Sequence, residues 1–239
     1  MKAKKKVIFW NVDTQYDFMR KDGALPVPRA YEIEKDLGYL TKLAEEDRIQ
    51  VVNTGDWHTL ESKELSDKPN YHTTFPPHCL IGTEGAKFIP ATKPKRPYII
   101  DWRDKDFNPK RVAETRNIVL YKDAFDIFQG SPHADRVLEI IKPDIAIVYG
   151  VAADVCVNYA IHGLLDRGVE VYYFLDAIQG LHGTDWVSGI AEQWKKRGAE
   201  FLMSIGKNPS QGTVISLASY GGLGRLIEGF LEEKCLLEK

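Results

Sequence analysis

Short apolar runs rich in Val and Ile alternate along this chain with segments whose apolar residues recur every three or four positions. VIFWNV (7–12), IQVVNTG (49–55), NIVLYK (117–122), DIAIVYG (144–150), VEVYYFL (169–175) and AEFLMS (199–204) read as strands. Between them, YEIEKDLGYLTKLAEE (31–46) sets Ile33, Leu37, Leu40 and Leu43 on one helical face. SPHADRVLEIIK (131–142) opens with Ser131 as an N-cap and Pro132 at the first helical position. DVCVNYAIHGLLDRG (154–168) opens at Asp154 and closes at Arg167-Gly168, and TDWVSGIAEQWKKRG (184–198) is a further helix. Apolar strands separated by helices predict an α/β fold: a three-layer (α/β/α) sandwich around a mainly parallel, doubly wound sheet of about six strands.

Two segments fall outside this rhythm. Residues 90–116 hold four prolines and eight Lys or Arg against four acids, and read as a surface excursion with an extended piece at 98–101. Residues 207–239 form a C-terminal extension, in which Leu223, Leu226, Ile227, Phe230 and Leu231 share a helical stripe suited to core or subunit contact. The whole of 1–239 is expected to be one domain.

Composition narrows the function classes. The chain has 239 residues, 44% hydrophobic and 28% charged, with a net charge of −2, so nothing points to a nucleic-acid or membrane partner. Cys79, Cys156 and Cys235 are too few and too odd for a disulfide framework, which suits a reducing compartment. The basic start, MKAKKK, is followed only by VIFW before Asn11, too short for a signal-peptide core. The expectation is a cytoplasmic protein.

In a parallel sheet of this kind, ligands bind beyond the carboxyl ends of the strands. The first strand delivers Asp13 there, the second Asp56 and His58, the third Lys122 and the fourth the turn from Gly150 to Cys156. Cys156 lies two residues after Asp154, at a helix start whose free N–H groups and dipole favour a thiolate and can hold an oxyanion. A nearby lysine stabilises such a thiolate, and a nearby carboxylate can take the thiol proton and later give it to a leaving amine. Taken singly, Asp13 is an ordinary turn residue, Lys122 a surface partner and Cys156 a core thiol. Arriving together at consecutive strand ends, they read as a Cys–Asp–Lys triad. Cys79 and Cys235 read as structural.

GDWHT places Asp56 and His58 two apart, on one side of a strand, and His78 follows in TFPPHCLIGT. One carboxylate and two imidazoles suit Zn²⁺, with Fe²⁺ or Mn²⁺ as alternatives. His133, His162 and His182 read as surface or core residues. H-E-x-x-H, C-x-x-C pairs, G-x-S-x-G and a phosphate-binding loop are all absent.

The ordered set NVDTQYDFM, GDWHT, FPPHCLIGTEGAKF, YKDAFDIF and GVAADVCV resembles the nicotinamidase and isochorismatase-like cysteine hydrolase family, from about residue 7 to about 204. The resemblance implies that Asp13, Lys122 and Cys156 are the triad and that Asp56, His58 and His78 hold a divalent metal. It implies aromatic substrate walls at Phe18 and Phe75, a cis peptide at Val151–Ala152 and an oxyanion hole from the amides of Ala152 and Cys156. The run DWHTLESKEL lacks the further histidine that many nicotinamidases carry after D-W-H-P, leaving Glu61, Glu64, Asp67, His72 or water as a fourth ligand. The implied activity is hydrolysis of a small planar carboxamide, nicotinamide first, to the acid and ammonia through a thioester. Another small amide or ureide (maleamate or a carbamoyl compound) and a non-catalytic small-molecule binder are the alternatives. A homo-oligomer, dimer or tetramer, is expected.

Overall fold

A computed structural model describes residues 5–183 and 186–202. Seven parallel strands form one sheet in the order β3-β4-β2-β1-β5-β6-β7. They are β1 (Val7–Val12), β2 (Gln50–Asp56), β3 (Tyr98–Ile100), β4 (Asn117–Lys122), β5 (Ile145–Val151), β6 (Glu170–Gln179) and β7 (Glu200–Leu202). The expected six become seven because the extended piece of the 90–116 excursion pairs with β4 as the edge strand β3. The last two residues of the run predicted at 199–204, and the whole 207–239 extension, lie outside the described residues.

Side-chain alternation along the strands feeds two cores. Ile8, Trp10 and Val12 of β1 and Ala146 and Val148 of β5 pack on one face, beneath α5 (Ala134–Ile141), α6 (Cys156–Asp166) and α7 (Trp186–Lys196). Phe9 of β1 and Ile145, Ile147 and Tyr149 of β5 pack on the other, against α2 (Glu34–Glu46), which presents Leu37, Leu40 and Leu43. Short helices α1 (Tyr16–Met19), α3 (Pro109–Glu114) and α4 (Ile127–Gly130) fill the connections.

Two expected caps are not made. Ser131 closes α4, whose own N-cap is Asp126, and α5 starts after His133 instead. Asp154 does not cap α6, which starts after Val155; its carboxylate accepts from the N–H groups of Leu181 and His182 and from the His182 ring. The Asp154 carboxylate is taken by the 181–182 turn instead of the helix start, while the buried Ser131 hydroxyl has no hydrogen-bond partner among the described residues. Among the described residues no helix is long and apolar enough to cross a membrane.

Candidate active site

The strand order reverses at β1, with β2 on one side and β5 on the other, and the crevice opens there. Asp13 follows β1 directly at φ +48, a conformation aspartate tolerates better than most residues. Gly150 takes φ +122, and a Cβ there would meet the Val12 carbonyl oxygen at 2.1 Å. One residue further on, the Val151–Ala152 peptide is cis. Lys122 is the register partner of Asp56 on the neighbouring strand.

These strand ends bring Asp13, Lys122 and Cys156 together. Lys122 Nζ lies 3.0 Å from Asp13 Oδ2 and 3.5 Å from Cys156 Sγ, and also donates to Asp56 Oδ1. Asp13 Oδ1 accepts from the Thr54 hydroxyl at 2.6 Å. One oxygen each of Asp13 and Asp56 and the Cys156 sulfur lie within 4.8 Å of one another. Cys156 is 7% exposed and lines the pocket, so it is reachable from the cleft. The N–H groups of Ala152 and Cys156 find no backbone acceptor among the described residues.

Burial sets the charge pattern. It pushes the Cys156 thiol well above its ordinary value; Lys122 opposes this, and the Asp13 and Asp56 charges add to it. The sequence favoured a thiolate at this helix start, but desolvation and two carboxylates outweigh one ammonium, so the resting group is the thiol. Burial also raises Asp13, against the pull of Lys122. Lys122 stays charged: burial works against its ammonium, but Asp13, Asp56 and Cys156 together hold it well above the usual lysine value.

Beside the thiol, Asp56, His58 and His78 converge, each with one ligand atom within 4.8 Å of the others. Nε2 of His58 and Nε2 of His78 both lie 3.6 Å from Asp56 Oδ2. Two atoms each about 2.0–2.1 Å from one tetrahedral Zn²⁺ would be separated by roughly 3.3 Å, so the spacing fits. The loop 57–97 achieves this by pairing with itself: His58 N–H donates to Cys79 O at 3.1 Å, and Ile81 N–H to His58 O at 2.9 Å. His58 Nε2 is buried without a partner. Burial would lower the His58 ring, yet the hydrogen bond to Asp123 and the nearby Asp56 carboxylate raise it to about 9, so the surroundings favour positive charge at this spot. Asp56 is held well below the usual carboxylate range, because Lys122 and the two imidazoles overcome the effect of burial. The donor chemistry, the orphaned nitrogen and the spacing all fit a divalent cation.

Of the candidate fourth ligands, Glu64 turns inward. Its Oε1 accepts from the Phe125 N–H at 2.6 Å and its Oε2 is buried without a partner. Burial first, opposed by Lys122 and helped by Asp56, pushes its carboxyl up to about 7. Glu61 and His72 are exposed, and Asp67 is exposed as well.

Phe18, Leu25, Val27, Phe75, Phe125 and Leu181 wall the pocket in front of Cys156. The Phe18 ring lies 5.2 Å from the His78 ring, and Phe75 meets Phe125 edge-on at 5.5 Å. Two hydrogen bonds between the Gln15 amide and the Asp56 backbone, both 2.7 Å, tie the Phe18 segment to the end of β2.

A profile of the isochorismatase domain matches residues 8–204. The chain belongs to the isochorismatase family. The nicotinamidase/pyrazinamidase of Mycobacterium tuberculosis is 26% identical over 190 residues, which cover 76% of this chain and 90% of that protein. A pyrazinamidase of Pyrococcus horikoshii solved with zinc superposes with a TM-score of 0.65 at 24% identity, covering 82% of this chain and 98% of that one. The N-carbamoylsarcosine amidase of Thermoplasma acidophilum superposes with a TM-score of 0.63 at 20% identity, covering 82% and 95%. At these identities the two superpositions speak for the fold.

Within this isochorismatase-family fold, all ten residues singled out from the sequence lie around one cleft or in the turn beneath it. Sequence reading missed Phe125, Leu25, Val27 and Leu181, and the role of Asp123. Phe125 was signalled only by its place three residues past a strand end. Leu25, Val27 and Leu181 come from loops, where no periodicity marks the side that faces inward.

Proposed function

We propose that this protein is a cysteine amidohydrolase that converts a small, flat, neutral carboxamide to its acid and ammonia, with nicotinamide as the substrate. One observation carries the reading: a buried ammonium within 3.5 Å of the Cys156 sulfur and 3.0 Å of the Asp13 carboxylate, at the floor of an apolar pocket. The curated M. tuberculosis relative supports an amide substrate.

Asp13 takes the Cys156 proton as the sulfur attacks the amide carbon. The N–H groups of Ala152 and Cys156 hold the developing oxyanion. Asp13 returns the proton to the leaving nitrogen, ammonia departs, and a water activated by Asp13 cleaves the thioester. Lys122 keeps its charge throughout and balances the negative charge that moves between sulfur and carboxylate. Phe18, Phe75 and Phe125 clamp a planar ring, and among the described residues no Lys or Arg lines that wall, which disfavours an anionic substrate such as maleamate. Asp56, His58 and His78 would hold the metal, Zn²⁺ in preference to Fe²⁺ or Mn²⁺. A cation bound there supplies a Lewis-acidic anchor for a ring nitrogen or for water.

Two expectations accompany this reading: a cytoplasmic location, and a homo-oligomer, dimer or tetramer. Light scattering on the purified protein reads the second.

Ammonia release from nicotinamide, pyrazinamide, maleamate and N-carbamoylsarcosine tests the proposal, on zinc-loaded protein with Cys156→Ala as control. Fastest turnover of nicotinamide, lost in the control, is the expected result. Preference for maleamate or the carbamoyl compound overturns the substrate. Tight nicotinamide binding without turnover of any amide makes the protein a binder.

A further inference from the structure

His58 and His78 both aim Nε2 at one Asp56 oxygen, and each ring is fixed from behind through Nδ1. The fixing groups differ. His78 Nδ1–H donates to the Pro76 carbonyl at 2.7 Å, a neutral acceptor that no side-chain change can remove. His58 Nδ1–H donates to Asp123 Oδ1 at 2.8 Å, a carboxylate. Asp123 is itself held. The Ser62 hydroxyl donates to the same Oδ1, the Thr59 N–H donates to Ser62 Oγ at 2.9 Å, and the Asp123 N–H donates to the Gly130 carbonyl at 3.0 Å. Ser62 is buried and Asp123 partly so. Neither side chain has a part in the amide chemistry.

We infer that Asp123, held by Ser62, is a positioning residue for metal binding: it fixes the orientation and tautomer of His58 so that Nε2 offers its lone pair to the ion. The inference rests on the reading of Asp56, His58 and His78 as metal ligands. A neutral imidazole carries one N–H, and a ring without a fixed partner divides its population between two tautomers and several rotamers. An acceptor at Nδ1 keeps the proton there and frees Nε2. A charged acceptor also raises the donor strength of Nε2, which a carbonyl does less. The arrangement makes the two imidazoles unequal, with His58 the stronger ligand.

The test is zinc titration of metal-free protein in competition with a chromophoric chelator, on wild type, Asp123→Ala, Asp123→Asn, Ser62→Ala and His58→Ala. Asp123→Ala is expected to bind Zn²⁺ about 10- to 100-fold more weakly. Asp123→Asn, which keeps an acceptor oxygen but not its charge, falls between, and Ser62→Ala loses less. The visible spectrum of the Co²⁺-loaded protein shifts in Asp123→Ala, while the melting temperatures of the metal-free forms of these variants match wild type within a few degrees. If Asp123→Ala does not fold, Asp123→Asn and Ser62→Ala carry the same comparison. Zinc bound by wild type, lost in His58→Ala but held as tightly as wild type by the folded Asp123 and Ser62 variants, overturns this inference alone. No zinc bound by wild type, or equal affinity in His58→Ala, overturns the ligand assignment beneath it.

Discussion

The Lys122 ammonium lies 3.5 Å from the Cys156 sulfur, with both groups buried. At that distance the lysine is in place before any thiolate exists, so the site needs no rearrangement when the proton leaves sulfur. Its charge is already matched by Asp13 and Asp56, which explains how a lysine can be 1% exposed.

Removing the nucleophile should separate binding from chemistry. Cys156→Ala should lower kcat for nicotinamide by roughly three orders of magnitude or more. Calorimetry should still detect ligand binding, because the walls at Phe18, Phe75 and Phe125 are untouched. Retained turnover would transfer the chemistry away from the thiol.

Lys122→Met would leave two carboxylates facing each other without a cation. Breaking a buried pair of this kind costs about 3–5 kcal/mol, measurable by urea unfolding of the metal-free protein. The double variant Asp13→Asn with Lys122→Met should recover part of the loss, since one unpaired charge goes with the other. Strictly additive effects would show that the two groups do not interact.

The pH dependence follows from Asp13. Burial raises its carboxyl above the ordinary carboxylate value, so it keeps its proton to higher pH than a solvated aspartate. Only the ionised form can act as base, so kcat/KM should rise with pH through that raised value and fall away below it. Because Lys122 is raised above the normal lysine range, it should not limit activity on the alkaline side below about pH 10. A profile still flat down to pH 4 would remove Asp13 as the base.

Chelation should abolish turnover and zinc should restore it. His78→Ala should lower bound zinc below one per chain by elemental analysis and reduce activity in parallel. A protein stripped of metal that still hydrolyses nicotinamide at the original rate would limit these three residues to a structural part.

Phe125→Ala should act on the substrate ring. Losing one apolar wall costs about 1–3 kcal/mol, seen as a KM increase of about tenfold with a smaller change in kcat. A larger loss in kcat than in KM would place Phe125 closer to the reacting carbon.

Much of this arrangement is legible in the sequence because strand ends are. A run such as NIVLYK announces both its burial and the residue that leaves it, and a parallel sheet sends all such residues to one edge. That reasoning reaches Asp13, Asp56, Lys122 and Cys156. His78 is named by its residue type, not by a strand end, because a loop pairing with His58, invisible to periodicity, brings it home. The same blindness hid Phe125, Leu181 and the Asp123 contact. Asp154 misled as a cap because a short polar side chain serves a helix or a turn equally well, and only the tertiary neighbours decide; Ser131 misled because the chain there ends one helix instead of starting the next. How far burial raises the Cys156 thiol was not legible either: helix starts and lysines can be read from sequence, but the depth of burial cannot.

Lys122 and Asp123 are consecutive residues at the end of β4, one turned to the sulfur and the other to the imidazole. A single inserted or deleted residue in that strand would therefore break two functions in one stroke, leaving an enzyme both inert and unable to keep its ion. Loss of catalysis and loss of metal retention should thus travel together in any lineage or library where β4 changes length, while changes of length in the neighbouring loops need not join them.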